Sequence, residues 1–136
     1  MDTAIANALA LGAESTMTDL TVDITTIGTR SGEPRRIEIW FHNVDGTVYL
    51  TGLPGPRAWY ANLLANPRFT FHLKHGVHAD LPATATPVTD PGERARLFAA
   101  ITEGIDALYA RRGSDQRVAH PDLWVSGSPL ISVTFD

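Results

Sequence analysis

The stretch Arg36-Ile-Glu-Ile-Trp-Phe-His-Asn-Val-Asp-Gly-Thr-Val-Tyr-Leu-Thr51 decides the fold class. From Arg36 to His42 the side chains alternate: Ile37, Ile39 and Phe41 share one face, and Arg36, Glu38, Trp40 and His42 share the other. A period of two is that of a half-buried strand. Asp45-Gly46 supplies the residue types that accept a tight hairpin turn, and Val48–Thr51 is the returning strand.

The same reading extends outward. Upstream, the Thr, Val and Ile residues between Leu20 and Ile27 predict another strand, joined to the hairpin by a turn at Arg30-Ser-Gly-Glu-Pro34. A short helix from Asp2-Thr3 to Leu11 opens the chain and stops at Gly12. Downstream, Gly52-Leu-Pro-Gly-Pro-Arg57 breaks the sheet, and Pro56 suits the first turn of a helix over Arg57–Ala65 that ends at Asn66-Pro67. Trp59 and Leu63 lie four apart on one side of that helix. Arg68 to Lys74 alternates again, with Phe69, Phe71 and Leu73 inward. A strand follows from Val77 towards Val88, where Pro82 and Pro87 predict a bulge or an edge. Asp90-Pro-Gly-Glu93 has the spacing of a capping box, and Leu97, Ile101, Ile105 and Leu108 form the apolar stripe of the helix behind it. Arg111, Arg112 and Gly113 close that helix, a polar loop follows, and Leu130–Phe135 is the last strand. Antiparallel hairpins with inserted helices make an α+β barrel, not a βαβ fold.

The chain of 136 residues reads as one domain over 1–136, with residues 1–19 a helix and lead-in. An apolar share of 43% against 19% charged residues argues against disorder. The absence of cysteine excludes disulfides, thiolate catalysis and cysteine-held zinc or iron–sulfur centres. The longest apolar run, Leu97–Ile101, is far short of the ~20 residues of a membrane helix, and no basic residue precedes Arg30. The expectation is a soluble cytoplasmic protein.

Charge is unevenly spread. The net charge is −4, yet Ile27–His78 carries six basic and three acidic residues and four of the five histidines. A basic block in an acidic chain predicts a site for a small anion and argues against general nucleic-acid binding. Catalytic signatures are missing: there is no G-x-S-x-G, H-E-x-x-H, G-x-x-x-x-G-K or G-x-G-x-x-G. His72, His75 and His78 are three apart, which puts neighbours on opposite strand faces, and only Asp80 accompanies them; no metal site is expected.

Two strings carry candidate chemistry. In Arg30-Ser-Gly-Glu-Pro-Arg-Arg36, three guanidinium groups flank a turn whose Ser31 and Gly32 amides can aim at one anion; the plainer alternative pairs Arg35 with Glu33 or Glu38. In Arg57-Ala-Trp-Tyr-Ala-Asn-Leu-Leu-Ala-Asn-Pro67, Trp59 and Tyr60 are either the wall of a planar-ligand pocket or core aromatics, and Asn62 offers donors and acceptors.

Thr25-Thr-Ile-Gly-Thr-Arg-Ser-Gly-Glu-Pro-Arg35, the hairpin, Ala58-Trp-Tyr-Ala-Asn-Leu-Leu-Ala-Asn-Pro67 and the Phe/His/Lys strand together resemble the deazaflavin-dependent nitroreductase family over roughly Asp23–Thr86. The resemblance implies a six-stranded antiparallel split β-barrel of the FMN-binding type with flanking helices. It implies a site for coenzyme F420, a deazaflavin with a phosphate and an oligoglutamate tail. By resemblance the cofactor-binding positions are Arg30, Ser31, Gly32, Arg35, Gly52, Arg57, Trp59 and Asn62, and Trp40 is an aromatic position near the ring and the substrate. Two departures stand out. Thr29 occupies a position where many relatives carry a base, and Leu53-Pro-Gly-Pro-Arg57 replaces a longer Ser-Lys-Gly-Gly loop, with Arg57 a candidate for the lost charge. The implied activity is hydride transfer from the deazaflavin C5 to a small-molecule acceptor (a quinone, enone or nitroaromatic), with a proton from Tyr60, Tyr109 or water. Two alternatives stay open: the same barrel using flavin mononucleotide, and a non-catalytic module that carries a cofactor, haem or lipid. Split barrels often pair through their sheets and an exposed edge needs cover, so the fold is compatible with a homodimer, while the sequence leaves the oligomeric state open.

Overall fold

A computed structural model describes all of residues 1–136. The strands are β1 (Thr21–Ile27), β2 (Pro34–Val44), β3 (Thr47–Thr51), β4 (Arg68–Leu73), β5 (Ala79–Pro87) and β6 (Leu130–Phe135). They close into an antiparallel barrel in the order β1-β2-β3-β6-β5-β4. The helices are α1 (Thr3–Ala10), α2 (Met17–Leu20), α3 (Ala58–Ala65), α4 (Pro91–Arg111) and α5 (Pro121–Gly127). The expected fold class is borne out. Two short helices were not expected: α2, held by a capping box between Thr16 and Asp19, and α5, in the stretch read as a polar loop. No helix is long and apolar enough to cross a membrane.

The feature that shapes the barrel is the length of β2. Pro34–Trp40 pairs with β1, whereas Phe41–Val44 pairs with β3. One strand thus serves two sheets, and the edge of residues 34–39 that faces away from β1 has no strand beside it.

Alternation fills the interior as read from the sequence. Val22, Ile24, Phe41, Phe69 and Phe71 belong to one buried cluster, which Leu9 of α1 and Trp59 and Leu63 of α3 join. Phe71 packs edge-on against Phe41 at 5.5 Å and Phe135 at 5.2 Å between ring centroids. A second cluster covers the outside of β3 and β6: Tyr49 and Leu130 meet Leu97, Phe98, Ile101 and Ile105 of α4 and Trp124 of α5. β3 is therefore buried on both faces.

Several local expectations are corrected. β5 is not an edge, because it pairs with β4 and β6. Its prolines are tolerated because their missing donors face places where the neighbouring strand has run out. Pro82 lies opposite Asp136, beyond the end of β6, and Pro87 lies beyond the start of β4. The capping box of α4 is half made. Asp90 accepts the Glu93 amide at 2.9 Å, but the Glu93 carboxylate turns to Arg96 at 2.7 Å. His72, expected to point to solvent, is buried, with Nε2 2.7 Å from Thr25 Oγ1 and Nδ1 2.6 Å from Asp80. That contact holds the Asp80 carboxyl below its ordinary value. Beside it, burial acts to raise the Asp23 carboxyl, and hydrogen bonds from Lys74 and Arg36 outweigh it.

Arg94 fastens the second layer. Its guanidinium donates to the carbonyl oxygens of Val88 (2.9 Å), Val125 (2.8 Å), Trp124 (3.3 Å) and Ser128 (2.5 Å), and it lies 5.2 Å from the Phe98 ring centroid. The last carbonyls of a helix run out of intrahelical donors, and although Trp124 O accepts the Ser128 amide at 3.0 Å, Val125 O and Ser128 O take theirs from Arg94, which holds α5 in place. Arg94→Met should lower unfolding stability by about 3 kcal/mol, read as a shift of the urea midpoint, because several carbonyls lose their donors at once.

His42 is the other correction. Read as a polar-face residue, it is 8% exposed. Burial disfavours the imidazolium and pushes its pKa down from 6.5 to about 4. The unfolded chain then binds a proton more readily than the folded one. The stability this group contributes is complete above pH 6.5 and is lost as pH falls towards 4. The loss should approach about 3 kcal/mol, since each pKa unit is worth about 1.4 kcal/mol. Urea unfolding from pH 7 to 4 should show this decline in the wild type and a flatter profile in His42→Asn.

Candidate functional site

The turn between β1 and β2 is built by hydrogen bonds inside it. The Gly28 amide donates to Glu33 O at 2.9 Å, and the Gly32 amide donates to Gly28 O at 3.0 Å. Gly32 has φ 68°, in the left-handed region that glycine adopts without penalty. A Cβ on Gly28 would sit 2.7 Å from Ser31 Oγ, so a larger residue here would displace the Ser31 hydroxyl from its place in the turn. Ser31 Oγ accepts the Glu33 amide at 3.1 Å and Arg35 Nη2 at 3.3 Å. The Gly32 amide is thus spent inside the turn, contrary to its expected role as an anion donor. The Ser31 hydroxyl steers Arg35 instead.

Asn62 ties this turn to α3. Its Oδ1 accepts the Thr29 amide at 3.2 Å, and its Nδ2 donates to Thr26 Oγ1 at 3.0 Å. Both ends of a buried amide are engaged by the chain, which makes Asn62 a brace for the turn. Beside it opens a cleft of about 310 Å³, lined by Arg30, Ser31, Arg35, Ile37, Trp59 and others. Five of the expected positions, Arg30, Ser31, Arg35, Trp59 and Asn62, therefore come together. Trp59 satisfies both of its readings: it is 8% exposed within the core, and it borders this cleft.

The charges here are distinctive. Arg36 pairs with Asp23 at 2.9 Å, Arg68 with Asp136 at 2.7 Å, Lys74 with Asp23 at 2.7 Å and Arg96 with Glu93 at 2.7 Å. Glu38 is taken by Lys74, so the alternative in which Arg35 pairs with Glu33 or Glu38 is not realised. Arg35 bonds only to Ser31, and Arg30 lines the cleft with no carboxylate partner. Two guanidinium groups without counter-charges beside one opening can hold a phosphate or carboxylate.

A second cleft, of about 450 Å³, lies between β2–β3 and α4–α5. Trp40, Gly52, Tyr109 and Trp124 are among its lining residues, with His42 and Thr51. It is mainly apolar and aromatic, suited to a flat molecule. The loop between β3 and α3 runs between the two openings: Gly52 and Leu53 at its start line this cleft, and Ala58 and Trp59 of α3, just after it, line the first. On β2, Ile37, within the stretch that lacks a second strand neighbour, lines the first cleft, and Trp40, at the end of that stretch, lines the second.

Two expected residues stand elsewhere. Arg57 donates to Pro56 O at 2.8 Å and Leu53 O at 2.9 Å, because the short loop folds the guanidinium back onto its own carbonyls. It borders neither cleft. Tyr60 stacks edge-on against Trp59 and faces a third groove, beside Pro56 and Arg94, so it is not placed to serve the Trp40 cleft. Two cleft residues escaped the sequence reading. His42 was signalled by alternation, since it shares a face with Trp40. Trp124 was signalled only by Pro121, in the first turn of α5.

A comparison with curated protein sequences gives no match. Among solved structures, a conserved hypothetical protein of Mycobacterium tuberculosis is 19% identical, with TM-score 0.62 over 99% of this chain and 81% of that one. A structure described as an F420 reductase is 18% identical, with TM-score 0.61 over 86% of each chain. A structure described as a domain-swapped dimer is 20% identical, with TM-score 0.54 over 85% of this chain and 80% of that one. These likenesses establish the fold. The family model described as F420H(2)-dependent quinone reductase matches residues 3–118, which covers both strands of the turn, the partner switch of β2 and most of the wall of the aromatic cleft, and the chain belongs to that family.

Proposed function

We propose that this F420-dependent oxidoreductase binds the anionic part of its cofactor at Arg30 and Arg35 and reduces a flat acceptor, a quinone in first place, in the Trp40 cleft. The observation that carries the reading is the pair of arginines without carboxylate partners at an opening lined by Ile37 of β2 and Trp59 of α3, with Trp40 of the same strand lining a separate aromatic cleft. F420 fits these residues: its phosphate and carboxylates suit two guanidinium groups, and its flat ring suits a gap between a strand edge and a loop. When bound, F420 supplies hydride from C5 of its reduced ring.

The chain's own residues do the rest by placement. Ser31 orients Arg35, Asn62 braces the turn against α3, and Gly28 leaves room for the Ser31 hydroxyl. Trp40, Tyr109 and Trp124 wall the acceptor from water. Tyr109 stays a candidate proton donor because it reaches this cleft; Tyr60 does not. The family model favours F420 over flavin mononucleotide and a reductase over a carrier. A cytoplasmic location belongs to the same reading. So does a homodimer, an assembly that a structure of the same fold adopts as a domain-swapped dimer.

Arg30→Ala and Arg35→Ala should each raise the Kd for F420 about tenfold, or about 1.4 kcal/mol. Arg36→Ala, whose side chain is held by Asp23, should leave it unchanged. Unchanged affinity in both cleft variants would remove the anion site. Anaerobic mixing of the reduced holoprotein with menadione should restore the absorbance of oxidised deazaflavin. Tight F420 binding without oxidation across a panel of quinones, enones and nitroaromatics would instead make the protein a carrier.

A further inference from the structure

The aromatic cleft contains a polar ring that the fold leaves without a partner. His42 is 8% exposed and lines the cleft with Trp40, Thr51, Tyr109 and Trp124, and neither of its ring nitrogens bonds to any protein group. The sealed side-chain polar atom without a partner is Ser128 Oγ, so the His42 nitrogens keep access to open space, in this cleft or in a cavity of about 330 Å³ that His42 also borders beside α1 and α4. Burying an imidazole among Trp and Ile side chains without a hydrogen bond works against folding. Its neighbour in register, Tyr49, turns to the α4 cluster and offers it no bond. Such a group fits a ligand that supplies the missing acceptor. Burial also keeps the ring neutral at pH 7, so one nitrogen carries a hydrogen to donate and the other does not.

We propose that His42 is a catalytic residue of the acceptor cleft: its imidazole N–H donates a hydrogen bond to the carbonyl oxygen of a quinone lying beside Trp40 and Trp124. The inference rests on the acceptor site proposed above and names the group that recognises its substrate. Reduction brings an electron pair and a hydrogen to the quinone as hydride, and negative charge gathers on the carbonyl oxygen. An N–H fixed in an apolar cleft stabilises that charge without having to reorient. Hydride converts the quinone to the hydroquinone monoanion, a proton from Tyr109 or water completes the hydroquinone, and His42 keeps its own proton throughout. Enones share the carbonyl, so they are accepted on the same terms; nitroaromatics offer weaker oxygen acceptors and react more slowly.

Menadione serves as the probe, with the protein first free of cofactor. Quenching of tryptophan fluorescence should report its entry beside Trp40 and Trp124. The infrared carbonyl band of the bound quinone should shift to lower frequency than that of free menadione, and the shift should vanish in His42→Phe, persist in part in His42→Asn and survive in Tyr109→Phe. With F420 bound and reduced, His42→Phe should slow single-turnover reduction of menadione at least tenfold, with F420 affinity unchanged and partial rescue by His42→Asn. A bound carbonyl band equal to the free one in the wild type overturns the assignment without needing any variant. Loss of the shift in Tyr109→Phe instead of His42→Phe overturns it in favour of Tyr109. Absence of quenching overturns the acceptor site itself, and the two failures are thereby told apart.

Discussion

The barrel depends on one strand changing partners. β2 is bonded to β1 as far as Trp40 and to β3 from Phe41 onward, and the change leaves half of one edge without a neighbouring strand. An open strand edge inside a protein is normally covered or paired. Here Ile37 of that stretch lines the first cleft with Ala58 and Trp59 of α3, and Trp40 lines the second with Gly52 and Leu53. The same device that closes the barrel therefore makes the room for a planar ligand.

Two kinds of restraint hold the site. Around the turn they are short and polar: Gly28 with Glu33, Ser31 with Arg35, Asn62 with Thr26 and Thr29. Around the aromatic cleft they are apolar and long-range. α4 packs on the outside of β3 and β6, and Arg94 then holds α5, which brings Trp124 to the wall. The first site keeps its charges free for a ligand: Asp23 and Glu38 are engaged by Arg36 and Lys74, and Arg35 bonds to Ser31 and not to Glu33. The second leaves one imidazole without a hydrogen bond in a cleft that is mainly apolar.

This division matches what hydride transfer asks of a protein whose cofactor carries the difficult chemistry. Binding energy is needed at the anionic end, and exclusion of water with fixed polarity is needed at the reacting end. A chain without cysteine, metal-ligand cluster or activated hydroxyl meets both demands with arginines, tryptophans and one histidine.

The sequence by itself determined the strands, the hairpin at Asp45-Gly46, the helix over Trp59 and Leu63, the arginine-flanked turn and, through the motifs of both, the family. These are local matters: alternation, turn chemistry and the spacing of residues a few positions apart. It did not determine which arginines remain free, since Arg35 and Arg36 differ only in that Asp23, on another strand, faces one of them. Nor did it determine that His42 and His72, both on the polar side of their strands, are buried: His42 beside a cleft without a bond, His72 tied to Thr25 and Asp80. Arg57 was equally undecidable, because its partners are carbonyls of a loop whose path depends on the strands at its ends. Only the tertiary structure settles such questions, for the physical reason that burial and ion pairing are made by residues distant in the chain, and a side chain's role follows from what is packed against it.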